Sequence, residues 1–147
     1  MRQRQIAGVI VSMMWLLTSC FAHHMAVIVE KGNKVQNVSS SHLAKMVKGD
    51  VKTWPDGKGV VFVVQTNSPD TIGTLARVAR MTKAEMSATI QQNKDRFRTE
   101  GSDADVIDAV ASMPGAIGLV EERSINDRVN VIKVDGKLPM EAGYLPH

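Results

Sequence analysis

Cysteine, aromatic residues and surplus charge are all scarce in this chain. Cys20 is the single cysteine among 147 residues, so neither an intramolecular disulfide nor a four-cysteine zinc site can form. Three Phe, two Trp and one Tyr make up 4% of the sequence, which supplies no array of stacking platforms for a nucleic-acid strand. The net charge is only +3, and removing Arg2 and Arg4 from the 18 basic residues leaves 16 against 15 acidic. Nucleic acid therefore has no electrostatic footprint here. The apolar stretch before Cys20, Ile6–Ser19, is 14 residues long, short of the roughly 20 that a spanning helix needs.

What is present at the N-terminus has the layout of an export signal. Arg2 and Arg4 precede the apolar stretch, and small residues follow it. Residues 1–22 are expected to be a signal peptide and residues 23–147 the mature domain. Leu17-Thr18-Ser19-Cys20 resembles a bacterial lipobox, which makes Cys20 a lipidation candidate and gives a membrane link through an N-terminal lipid alone. Cleavage after Ala22, releasing an unmodified domain, is the other reading.

The full chain is 44% hydrophobic, and the part beyond the N-terminal segment is long enough for one core. Its clearest passage is Gly101–Val120. Ser102 is placed as an N-cap, Asp103 and Asp105 sit in the first turn, and Val106, Ile107, Val110 and Met113 recur at helical spacing. Pro114-Gly115 ends that helix, and Ala116–Val120 is apolar without alternation, as in a strand covered on both faces. Met25–Val29 and Val60–Val64 read as further interior strands. Helix starts are expected at Ser39–Ser41 and at Ser68-Pro69-Asp70, and Thr82-Lys83-Ala84-Glu85 fits a capping box opening a helix to about Lys94. Trp54-Pro55-Asp56-Gly57 reads as a turn with Trp54 as a packing anchor. Asn93–Glu100 reads as solvated surface with Phe97 turned inward, Val129–Val134 as an outer strand ended by Asp135-Gly136, and Lys137–His147 as an extended tail. Strands alternating with helices imply an α/β domain with a mostly parallel sheet flanked by helices.

Several strings together resemble the phosphate-binding members of the type 2 periplasmic solute-binding proteins. They are Leu43–Gly49 followed by Thr53–Gly57 and the Val60–Val64 strand, then Ser102-Asp103 with Pro114-Gly115-Ala116-Ile117-Gly118-Leu119-Val120, and finally Asp135-Gly136-Lys137 with Gly143-Tyr144-Leu145-Pro146. The resemblance covers most of Met25–Pro146 but only about half of a full binding protein, and so implies a single lobe of that fold. It also implies a non-enzymatic protein associated with ABC transport, with a small oxyanion such as phosphate as ligand and an ABC permease or other envelope protein as partner. In the family an arginine and a Ser-Gly-Thr follow the strand matching Val60–Val64; here Gln65-Thr66-Asn67-Ser68-Pro69-Asp70-Thr71 stands instead, and Pro69 removes an N–H donor.

The residues themselves offer one kind of chemistry. The helix starts at Ser39, Ser40 and Ser41, at Thr66, Asn67 and Ser68, and at Ser102 carry partial positive charge and spare N–H groups suited to an anion. Each hydroxyl serves equally as a plain N-cap. Asp70, Asp103 and Asp105 stand in the same first turns and compete with a bound anion. His23-His24 are adjacent in a tail, an arrangement that does not fix a metal geometry, and no nucleophile–base set, phosphate loop or dinucleotide fingerprint is present, so neither a catalytic residue nor a cofactor is expected. The alternative to a solute-binding protein is a ligand-free lobe that acts as an envelope interaction module.

Overall fold

A computed structural model describes residues 24–146. The expected signal peptide at residues 1–22, with Cys20, and His23 lie outside the described residues. Seven strands and four helices follow in the order β1 (Met25–Glu30), β2 (Asn37–Val38), α1 (Ser40–Lys48), β3 (Val61–Gln65), α2 (Pro69–Ala79), α3 (Lys83–Gln92), β4 (Phe97–Glu100), α4 (Asp103–Ser112), β5 (Ala116–Glu121), β6 (Val129–Val131) and β7 (Lys133–Val134). A single 3₁₀ turn, Glu122–Ser124, follows β5.

The main sheet has the order β4-β3-β5-β1-β6, and β2 pairs with β7 in a separate two-stranded ribbon. β3 is parallel to both β4 and β5, while β1 is antiparallel to β5 and β6. Four of the five strands therefore run one way and β1 alone is reversed. Burial alternates along the strands as a pleat requires. Met25, Val27 and Val29 of β1 join Phe62, Val64, Ile117 and Leu119 in a core under α1, α2 and α3. Ile28, Val63, Ala116 and Val120 face the other way and meet Val106, Ile107 and Val110 of α4. The result is a sheet with helices on both faces.

β5 is the middle strand, and its two neighbouring glycines are dictated by space. A Cβ on Gly118 would lie 2.8 Å from a Val110 methyl and 3.1 Å from side-chain carbons of Ile28 and Val106, so α4 packs directly on the bare backbone. Gly115 has φ +82, and a Cβ there would lie 2.2 Å from the Gly59 carbonyl oxygen. Trp54 closes this corner by donating its indole N–H to Gly115 O at 2.8 Å.

Three expectations are refined. Asn93–Glu100 contains strand β4, anchored by buried Phe97 stacked on Phe62 with ring centroids 5.5 Å apart. Its remaining residues are polar because it is an edge strand. The outer strand at 129–134 changes partner at Ile132, whose N–H goes to Val27 O, whereas the next N–H, on Lys133, goes to Gln36 O. The helix opened by the Thr82 capping box ends at Gln92, two residues before Lys94.

The C-terminal tail is tied into the sheet by its tyrosine. Tyr144 is 2% exposed. Its hydroxyl accepts the Val27 N–H at 3.1 Å and donates to Ile132 O at 2.7 Å. Thus the phenol stands between two backbone groups of neighbouring segments. Burial pushes the Tyr144 pKa up to about 12.

Two outcomes follow from this packing. Gly118→Ala is expected to destabilise the fold by about 1–3 kcal/mol in denaturant unfolding, because the surrounding methyl groups must move. Tyr144, the only tyrosine, should ionise near pH 12 in the folded chain and near about 10 when unfolded. The unfolded state then loses the proton first, so stability falls between those pH values by roughly 2–3 kcal/mol. Absorbance titration of the phenol with and without urea checks both midpoints, and Tyr144→Phe should flatten that part of the pH profile.

Candidate ligand-binding face

The parallel strands end at Gln65, Glu100 and Glu121, and the loops beyond them carry the starts of α2 and α4. The side-chain amides of Gln65 and Asn67 both donate to Gly101 O, at 3.4 and 3.3 Å. The Thr66–Ser68 loop and the Gly101-Ser102 corner are thereby held side by side. Thr66 and Asn67 are exposed, and Ser68 and Ser102 are half-buried.

The N-cap hydroxyls among the candidates have local partners. Ser39 accepts the His42 N–H at 3.1 Å and lies 3.1 Å from the Ser41 hydroxyl. Ser68 accepts from Thr71 N–H at 3.4 Å and Ser102 from Asp105 N–H at 3.1 Å. Ser40 contributes its backbone N–H to Asp135 Oδ1 at 2.9 Å. These are capping geometries, and they satisfy part of each helix's unpaired amide set.

Carboxylates already stand at these helix starts. Asp135 reaches α1 from 95 residues away in the chain, and its hydrogen bonds with Ser40 hold its pKa below the usual carboxylate value. Asp70 lies in the first turn of α2, after Pro69 has removed the N1 donor. Asp103 opens α4 and accepts from the Glu121 N–H at 3.0 Å and the Ser124 hydroxyl at 2.8 Å. The positive end of each helix dipole is thus partly balanced by the protein's own charge.

The three starts are not gathered into one pocket. Ser40 and Ser41 line a groove with the last turns of α1 and α2. Asp70 lines a separate small cleft with His24, Thr74, Arg77 and Tyr144. Leu145 and Pro146 of the tail border both, and Arg77 Nε donates to Pro146 O at 3.1 Å. Among the described residues no group of three His, Cys, Asp or Glu is arranged to hold a metal ion.

Thr71 is the residue that sequence reasoning passed over. It is 0% exposed, and its hydroxyl oxygen has no hydrogen-bond partner among the described residues. Thr71 stands at N3 of α2, beside the strand-end loop. Its only signal in the sequence is a hydroxyl residue three places after the N-cap, a position where an exposed threonine is unremarkable.

No family model and no curated protein matches the sequence. Solved structures do. An ABC-type phosphate transport receptor from Vibrio cholerae aligns at TM-score 0.64 and 15% identity, over 80% of this chain and 48% of that one. A putative phosphate ABC transporter substrate-binding protein with bound phosphate from Clostridium perfringens aligns at TM-score 0.66 and 18% identity, over 79% and 46%. The fold is that of one lobe of a solute-binding protein. PstS from Borrelia burgdorferi gives the same picture, with TM-score 0.64, 19% identity and coverage of 80% and 49%. The chain spans about half the length of the structures it matches.

An unpartnered buried hydroxyl costs stability, and an isosteric methyl removes that cost. Thr71→Val is therefore expected to raise unfolding stability by about 1 kcal/mol in a thermal or denaturant melt. A fall in stability would show that the hydroxyl is satisfied in solution.

Proposed function

We propose that this chain is an exported, non-enzymatic solute-binding-like protein whose strand-end face takes a small oxyanion weakly. The observation that carries the reading is the placement of the α2 and α4 starts side by side, joined through Asn67 and Gly101, on a fold shared with phosphate-binding receptors. The N1 and N2 amides of α4, on Asp103 and Ala104, and the N2 amide of α2, on Asp70, precede the first intrahelical bonds and are suited to an anion. Ser68, Ser102, Thr66 and Asn67 border them. Weakness follows from the neighbouring Asp70 and Asp103 charges and from the missing N–H at Pro69. Export rests on the signal-like residues 1–22, with Cys20 as the lipidation point if the lipobox is used. Among residues 24–146 no helix is long and apolar enough to cross a membrane.

A second reading is favoured by one specific feature. The carboxylate of Asp135 already occupies the start of α1, and that of Asp103 is engaged by Glu121 N–H and the Ser124 hydroxyl. A lobe whose helix starts are balanced internally suits an envelope interaction module that meets a protein partner and binds no solute.

Calorimetric titration with phosphate and sulfate separates the two. On the first reading phosphate binds in the millimolar range, and Asp70→Asn tightens it about two- to fivefold by removing a competing charge at a helix start. Absence of heat and of any thermal shift at tens of millimolar phosphate, in both forms, would leave only the interaction module.

A further inference from the structure

We propose that the groove between α1 and α2 binds an acidic segment of a partner protein. It has a volume of about 570 Å³ and is lined by Lys45 and Lys48 of α1 and by Arg77 and Arg80 at the end of α2. All four cations are exposed. Asp50 is the only acidic residue on its wall. The proposal stands on the groove alone, whether or not the strand-end face binds an oxyanion.

Lys58 pairs with Glu30 and Asp56, Arg98 with Glu100, Arg123 with Glu121, and Arg128 with Asp108. The four groove cations have no carboxylate within ion-pair distance among the described residues. Lys31, Lys52, Lys94 and Lys133 also lack an ion-pair partner among the described residues, and what sets the four groove cations apart is that they line one groove. Lys45, Lys48 and Arg77 stand in the last turns of their helices, where the dipole favours a cation. The same dipole reaches Arg80, one residue beyond the end of α2. Arg80 is the C-cap of α2 with φ 55, in the left-handed region where glycine is the usual residue. A strained backbone position here carries a charge that glycine would lack.

The shape and donors of the groove select its occupant. α1 runs its nine residues along one wall, about 12 Å from Ser40 to Lys48, which matches roughly four residues of extended chain at about 3.3 Å each. Lys45 and Lys48 stand about 4.5 Å apart along the last turn of α1, with Arg77 and Arg80 on the α2 side of the groove, a spacing that suits successive carboxylates. A compact free oxyanion prefers convergent backbone N–H groups, and the Ser40 N–H is taken by Asp135. Leu43, Val78 and Leu145 add apolar surface for the stems of a peptide.

The test is fluorescence anisotropy of a labelled eight-residue alternating Asp-Glu peptide against the purified chain, with an Asn-Gln peptide as control. Binding of the acidic peptide alone, weakening as salt rises, is expected. Lys45→Gln with Lys48→Gln should weaken it about tenfold and Arg80→Gly severalfold. Arg80→Gly should melt no lower than the parent, since it relieves the positive φ, and its loss of binding is then not a loss of fold. Lys133→Gln, outside the groove, should leave binding unchanged. Peptide binding that is absent, or indifferent to the paired lysine substitution, overturns the proposal. So does binding of inorganic phosphate or phosphatidylglycerol vesicles through these lysines in place of the peptide.

Discussion

The close approach of other elements to the backbone of β5 is the constraint on which the rest of the fold depends. β5 is the middle strand, with β3 parallel on one side and β1 antiparallel on the other. Gly118 admits the valines of α4 directly over the sheet, and Gly115 admits the Gly59 carbonyl and accepts the Trp54 indole N–H. A side chain at either glycine would lift a helix or a loop away from the centre. The end of the same strand then fixes the site, because the N–H of Glu121 is held by Asp103 in the first turn of α4. Packing at one end of β5 and the geometry of the candidate face at the other are therefore one problem.

Features set by local chemistry were legible in the sequence. Ser39, Ser68, Thr82 and Ser102 cap their helices as their positions require, and Gly49 closes α1 in the left-handed conformation. The Val61–Gln65 and Ala116–Glu121 strands announce themselves because burial on both faces demands unbroken apolar residues. Long-range choices were not legible. Nothing in MAVIV tells which way β1 runs, since side-chain pattern is the same in parallel and antiparallel pairs. The change of partner at Ile132 is silent for a similar reason. Val129 and Val131 face one core and Ile132 and Val134 the other, so the pleat continues unbroken while the hydrogen bonds move from β1 to the segment around β2. β4 was hidden because one buried residue, Phe97, holds an otherwise polar edge.

The candidate site shows the same division. Serines before helices can be found by eye, but whether a carboxylate from elsewhere reaches them depends on the folded chain. Asp135 meets Ser40 because the Asp135-Gly136 turn carries both residues in positive φ beside the β2–β7 ribbon. Thr71 became visible only when burial showed its hydroxyl without a partner. Neither fact has a sequence signature.

Electrostatic bookkeeping across the surface then separates two kinds of positive feature. The helix starts offer partial charges, and the protein sets its own carboxylates against them at short range. The α1–α2 groove offers four full charges with a single carboxylate, Asp50, on its wall. Partial charges fixed in backbone N–H groups recognise a small ligand only when they converge, and here Leu145 and Pro146 lie between the α1 groove and the cleft beside α2. Full charges on flexible stems need no convergence and suit a longer acidic chain. The tail that divides the helix starts also forms the wall of the groove, and Tyr144 anchors it in the sheet through Val27 and Ile132. The packing that parts the oxyanion candidates thus builds the surface suited to an acidic segment.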